Sequence, residues 1–280
     1  MNPAPVEIRI RSGNVWRIPL GEVWEYRDLL RLLVRRDFVA KYKQTILGPL
    51  WFILQPLLMT LIFTVIFGKV ARLSTDETPH ILFYMCGLLG WNYFSLTANS
   101  ICNTFTANEH LFGKVYFPRL IVPLSLLCTN LFTFAVQFAL FLAFWIYYKC
   151  LGAAISWNAT LVLLPLVLAQ AAALALGFGL CVSALTSRFR DLLIAMPLLF
   201  QIWMYATPVI MPLSEVPVRW RWVAEINPMT AATENLRCIL LGTGTPSLSG
   251  TVLSLVVTSL ILAAGLLLFA RAERNFIDTI

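Results

Sequence analysis

The chain has 280 residues, of which 59% are hydrophobic and 12% charged, against about a quarter charged in an average soluble domain. That composition excludes a soluble core with an appended anchor and indicates one polytopic membrane domain with short connections. The formal charge of +7 is not a nucleic-acid footprint, because the basic residues are distributed along the chain between apolar stretches.

Residues 1–20 carry Arg9, Arg11 and Arg17 among Pro3, Pro5 and Pro19. They read as a loosely ordered lead without the apolar h-region of a signal peptide. In Glu22–Lys43, Arg27, Arg31 and Arg35 repeat at i+4, while Val23, Tyr26, Leu30, Leu33 and Val34 recur on another face. The pattern predicts an amphipathic helix, lying either in the headgroup region or solvated at the surface. Residues 1–46 thus form an N-terminal segment, and 47–280 a transmembrane domain.

Six apolar stretches follow: Leu47–Gly68, Ile81–Ala107, Leu120–Tyr148, Trp157–Thr186, Leu192–Met211 and Gly250–Ala270. About 20 apolar residues suffice to cross a bilayer as helix. Their interiors hold the amides Gln55, Asn92, Asn99, Asn130, Gln137, Gln170 and Gln201 but no acid, base or histidine. Charged groups inside a membrane commonly mark ion relays, so their absence predicts a conduit driven from elsewhere. Of the 21 Lys and Arg, only Lys69, Arg72, Lys149, Arg219, Arg221 and Arg237 fall on the side opposite the N-terminus. The positive-inside rule then places both termini in the cytoplasm.

Gly48-Pro49 and Trp51 suit the entry to the first span, and Pro56 should bend it. In the second, Tyr84, Gly87, Trp91, Phe94 and Ala98 share one helix face, which serves either helix packing or a ligand surface. The following connection, Asn108–Arg119, opens on a helix-capping Asn and ends at Pro118-Arg119. Its Leu111, Phe112, Val115 and Tyr116 predict an exposed apolar patch that suits a protein partner or lipid. Trp145, Tyr147, Tyr148 and Trp157 predict an aromatic belt. Ala169, Ala173 and Gly177 at i+4 predict close helix approach.

The long connection Pro212–Ser249 carries Trp220 and Trp222, then Asn227-Pro228 as a helix start and Gly242 as its terminator. Met229, Ala232, Leu236 and Leu240 form an apolar side, with Glu234 and Arg237 on the other. One or two short re-entrant helices packed on the spans are predicted, the alternative being a loose outer loop. No GxxxxGK[ST], GxSxG or HExxH motif occurs, and Asp28, Asp37, Asp76, Asp191 and Asp278 are isolated. With six Cys forming no CxxC and only two His, no catalytic, cofactor or metal site is expected on this chain.

Arg36-Asp37 with Lys41-Tyr42 before Leu47-Gly48-Pro49-Leu50-Trp51, Phe117-Pro118-Arg119 with Pro123, Thr207-Pro208-Val209-Ile210, and Asn227-Pro228-Met229 occur in order along the chain. In these motifs the sequence resembles the membrane subunits of ABC exporters for O-antigen, capsular polysaccharide and teichoic acid. The resemblance implies an all-α integral membrane fold of six transmembrane helices with an N-terminal amphipathic interface helix and short re-entrant outer helices. It implies a homodimer in the bacterial inner membrane, two separate ATP-binding cassette subunits that carry the ATP and Mg, and an undecaprenyl-linked polysaccharide substrate. Asn108, Glu109, His110, Leu111, Phe112, Lys114 and Tyr116 would belong to the ATPase-coupling helix. Asn227, Pro228, Glu234 and Arg237 would belong to the outer gate. A sliding sugar path favours aromatic faces and neutral amides over fixed charge, which makes Tyr84, Trp91, Phe94, Phe200, Trp203 and Thr207 candidate channel lining, against the packing alternative. A small lipophilic drug or lipid as cargo, and an integral-membrane enzyme acting on lipid-linked sugars, are the competing functions.

Overall fold

Long apolar runs become helices in lipid because a backbone without water must bond to itself. The computed structural model describes residues 20–43, 48–108, 112, 117–155, 159–186 and 189–277, and no strand occurs among them. Helices α1 (Leu20–Glu25) and α2 (Arg27–Tyr42) precede α3 (Trp51–Phe63), which continues as π-helix over Thr64–Val70. Next come α4 (His80–Cys102), the short α5 (Thr104–Ala107), α6 (Ile121–Cys150) and α7 (Leu164–Thr186). The last four are α8 (Leu192–Tyr205), α9 (Val218–Ile226), α10 (Pro228–Leu241) and α11 (Leu248–Ile277).

Among the described residues, five helical segments are long and apolar enough to cross a membrane: Trp51–Val70, His80–Cys102, Ile121–Cys150, Thr160–Thr186 and Leu248–Glu273. They match five of the six stretches read from the sequence, and the chain is a multi-pass membrane protein. The remaining stretch forms α8, whose 14 residues span only about 21 Å by helix rise, against the roughly 30 Å hydrocarbon core. Pro208 disfavours helix just before it, and α8 accordingly stops at Tyr205. The segment begins just after Thr186, whose hydroxyl donates to the Cys102 carbonyl at 3.1 Å. From Leu192 it leads inward to the middle of α4, where Trp203 packs on Trp91 and Phe94. One turn beyond Trp203, the Thr207 hydroxyl accepts from the Asn227 amide at 2.9 Å.

The most buried of the five is α4, packed by α7, α6, α10 and α3. The most extensive pairing joins α7 to α11. A Cβ built at Gly177 would lie 2.6 Å from the Leu262 Cα, and one at Gly265 would overlap the Gly177 carbonyl. Gly177 therefore serves close helix packing, as predicted, whereas Ala169 of the same predicted stripe is exposed.

At one end, Leu33 of α2 joins a buried cluster with Ile101, Phe105, Phe117, Ile121, Leu180 and Phe269. This α2 end thus gathers the terminal turns of α4, α6, α7 and α11. Arg27, Arg31 and Arg35 stay exposed on the other face of α2, which is the predicted amphipathic division. The predicted continuous helix is broken at Tyr26, for which nothing in the sequence gives a reason. Trp145 is not on the surface belt. It is buried and donates its indole N–H to the Leu240 carbonyl at 3.1 Å, whereas Tyr147 is exposed. Trp157 lies outside the described residues.

Candidate functional site

Asn227 holds extended backbone at the start of α10, and Pro228 takes the first helical position, where its missing N–H costs nothing. The Asn227 carbonyl oxygen accepts from the Met229 N–H and from the Trp203 indole N–H, each at 3.1 Å. Its amide donates to the Thr207 hydroxyl at 2.9 Å and to the Ala206 carbonyl at 3.4 Å. Residues predicted for two separate roles, Trp203 and Thr207 as lining and Asn227 as gate, are thereby one hydrogen-bonded group. Gly242 closes α10 at φ 74°, completing both predicted caps.

Glu234 and Arg237 depart from expectation. The sequence places them on the polar side of an amphipathic helix, but they are 1% and 0% exposed. Arg237 Nη1 donates to Glu234 Oε1 at 3.0 Å, and Nη2 donates to the Val209 carbonyl at 2.9 Å. The guanidinium also lies over the Phe83 ring, 3.9 Å from its centroid. Glu234 Oε2 accepts the Thr245 N–H at 3.0 Å. Partners drawn from four segments compensate the desolvation that would otherwise keep both charges in water.

Two glycines make this possible. A Cβ at Gly87 would stand 3.2 Å from Arg237 Nη2 and 3.0 Å from the Val209 oxygen. Gly244, at φ 104°, takes a backbone conformation that favours glycine and turns the Thr245 N–H toward Glu234. Val209, Phe83 and Thr245 are the partners sequence reasoning missed. Only Val209 carried a signal, as part of the Thr207–Ile210 motif.

The aromatic candidates divide. Trp91, Phe94, Phe200 and Trp203 form one cluster with Phe178, with centroids 5.1 Å apart for Phe94–Trp203, 5.2 Å for Phe178–Trp203 and 5.4 Å for Trp91–Phe94. Tyr84 sits elsewhere, edge-on to Phe63 and Phe83. Tyr84, Trp91, Phe94, Phe200 and Thr207 are all buried within one protomer. In this conformation their faces are occupied by neighbouring helices of the same chain. A helical period identifies a shared face but not what covers it.

At the α2 end the Asn108 amide donates back to the Thr104 carbonyl at 3.0 Å, while the Phe112 N–H donates to the Asn108 carbonyl at 3.1 Å. Phe112 is 8% exposed, packed on Phe105 and Phe117 with the Arg119 guanidinium 5.2 Å above its ring. The expected exposed patch therefore does not include Phe112, because the ends of α4, α6 and α11 supply a core for it. Arg119 Nη1 donates to the Glu273 carbonyl at 2.9 Å, and Phe105 stacks on Phe269 at 4.8 Å. The connection is thus tied to the end of α11. Glu109, His110, Leu111, Lys114, Val115 and Tyr116 lie outside the described residues.

Residues 28–241 match the ABC-2 type transporter family. The chain belongs to that family. The match runs from α2 through α10 and takes in both ends of the bundle. The O-antigen export system permease protein RfbA of Myxococcus xanthus is 29% identical over 262 residues, covering 92% of this chain and 98% of that protein. A protein of the same name from Klebsiella pneumoniae is 28% identical over 204 residues, 73% of this chain and 76% of its own.

Proposed function

We propose that this ABC-2 transporter chain is the permease subunit of an ATP-driven exporter moving lipid-linked, O-antigen-like polysaccharide across a bacterial inner membrane. The observation that carries this reading is the nearly end-to-end likeness to the Myxococcus protein. Two copies enclose the path, and two separate ATP-binding cassette subunits bind ATP and Mg. The segment Leu192–Met211, built on α8, counts as the fifth of six crossings. The α2 end and both termini are cytoplasmic, a reading supported by the Lys and Arg distribution.

The Asn108–Arg119 connection receives the ATPase, with its contact surface built from Glu109, His110, Leu111, Lys114 and Tyr116. Phe112 roots that surface in the cluster shared by α2, α4, α6 and α11, so a push there moves their ends together. Helix α4 reaches the opposite end, where Phe83 and Gly87 pack against Arg237 and Val209. That group, with Asn227 and Pro228, forms the outer mouth. The polymer meets the protomer surface at amides such as Gln55 of α3 and Gln201 of α8. Both are exposed within apolar faces, where lipid would leave their hydrogen bonds unmade.

Deleting the gene in its own bacterium tests the reading. Surface polysaccharide should disappear while lipid-linked polymer accumulates on the cytoplasmic side, and the intact gene should restore export. Normal surface glycan with altered sensitivity to lipophilic drugs would refute the polysaccharide assignment and favour the small-molecule cargo.

A further inference from the structure

A groove of about 420 Å3 runs between α2 and α6. Its floor is Leu30, Val34 and Phe38 of α2 with Cys128 and Phe132 of α6, and Arg31 and Arg35 stand along it. Phe38 meets Phe132 edge-on at 5.5 Å. By helix rise, Cys128 and Phe132 lie about 10 and 16 Å along α6 from Ile121. The apolar floor therefore extends from the bundle end into hydrocarbon depth, while both arginines are exposed. Arg31 contacts Asp28 at 3.3 Å with both side chains mostly in solvent, a pairing weak enough to be exchanged.

We propose that this groove binds one anionic glycerophospholipid of the surrounding leaflet, its phosphate on Arg31 and Arg35 and an acyl chain along the floor. A phosphate ester joined to a hydrocarbon chain matches both the charge and the depth of the lining. A second copy of this chain does not. A two-fold contact through the groove would bring the four arginines toward one another. The inference rests on α2 lying at a membrane surface and is independent of the exported cargo.

Native mass spectrometry of the purified full chain tests it, with phosphatidylglycerol and phosphatidylcholine of identical acyl chains added in turn. One phosphatidylglycerol per chain should be held about thirtyfold more tightly than phosphatidylcholine, from roughly fivefold per basic residue near an anionic headgroup. Arg31→Gln with Arg35→Gln should abolish that preference; both side chains are exposed, so folding is preserved. Phe132→Ala should weaken both lipids alike. Equal retention of the two lipids by the natural chain, or a preference that survives the double arginine substitution, overturns the proposal. So does displacement of phosphatidylglycerol by equimolar undecaprenyl diphosphate, which would make the groove a carrier-lipid site. Loss of the lipid on assembly with the ATPase would make it a protein interface, with the same consequence.

Discussion

Glu234→Leu removes the carboxylate that faces Arg237 and leaves a guanidinium with 0% exposure bonded only to the Val209 carbonyl. Breaking a buried pair from one side costs about 3–5 kcal/mol, most of it the desolvation of the charge left behind. Arg237→Leu strands the Glu234 carboxylate with the Thr245 N–H and orphans the Val209 carbonyl, so a similar loss is expected. The double leucine variant leaves neither charge. It should be more stable than either single variant, with a coupling of about 2–3 kcal/mol in the double-mutant cycle. Unfolding of the purified chain in graded SDS, followed by tryptophan fluorescence, gives the four free energies. Single variants within about 1 kcal/mol of the natural chain, the range of an exposed pair, would show that the site is wet. Strictly additive losses would show that the two groups do not act as a pair.

Trp91→Ala should cost about 3–5 kcal/mol through the cavity it leaves among Phe94 and Trp203, visible as a lower melting temperature and poor yield. Normal stability with reduced export would instead place Trp91 on the path. Gly265→Leu drives a side chain into the Gly177 backbone, so the purified chain should lose its monodisperse peak on gel filtration; an unchanged profile would contradict the close crossing of α7 and α11. Gln201→Leu removes an exposed amide from α8 and should lower polymer export while leaving melting unchanged. If export is unchanged and the melting temperature rises, that face of α8 meets lipid.

The parts legible in the sequence are those whose cause is local. Asn227-Pro228 and Gly242 announce the ends of α10 because capping depends on residues adjacent in the chain. Ala173 and Gly177 announce a close crossing because small side chains are its physical requirement. Burial of Glu234 and Arg237 depends on Val209, Phe83 and Thr245, which three other segments bring together, and no local pattern encodes that. The fate of Phe112 is hidden for the same reason. Its i+3 and i+4 neighbours describe a patch, while Phe105, Phe117 and Arg119 arrive from either side to cover it.

Two arginine-centred groupings sit toward opposite ends of α4, with the hydrogen-bonded group of Asn227, Trp203 and Thr207 between them. At one end Arg119 binds the backbone of Glu273; at the other Arg237 binds Glu234 and the Val209 carbonyl. Helix α4 touches both, through Ile101 in the Phe112 cluster and through Phe83 under the guanidinium. Side chains packed at crystal-like density transmit displacement because they cannot compress. The aromatic group around Trp91, Phe94 and Trp203 fills the interval between α4 and α8, so these helices are bound to move together. Burial of that stripe makes it the filling through which a displacement of α4 reaches α8.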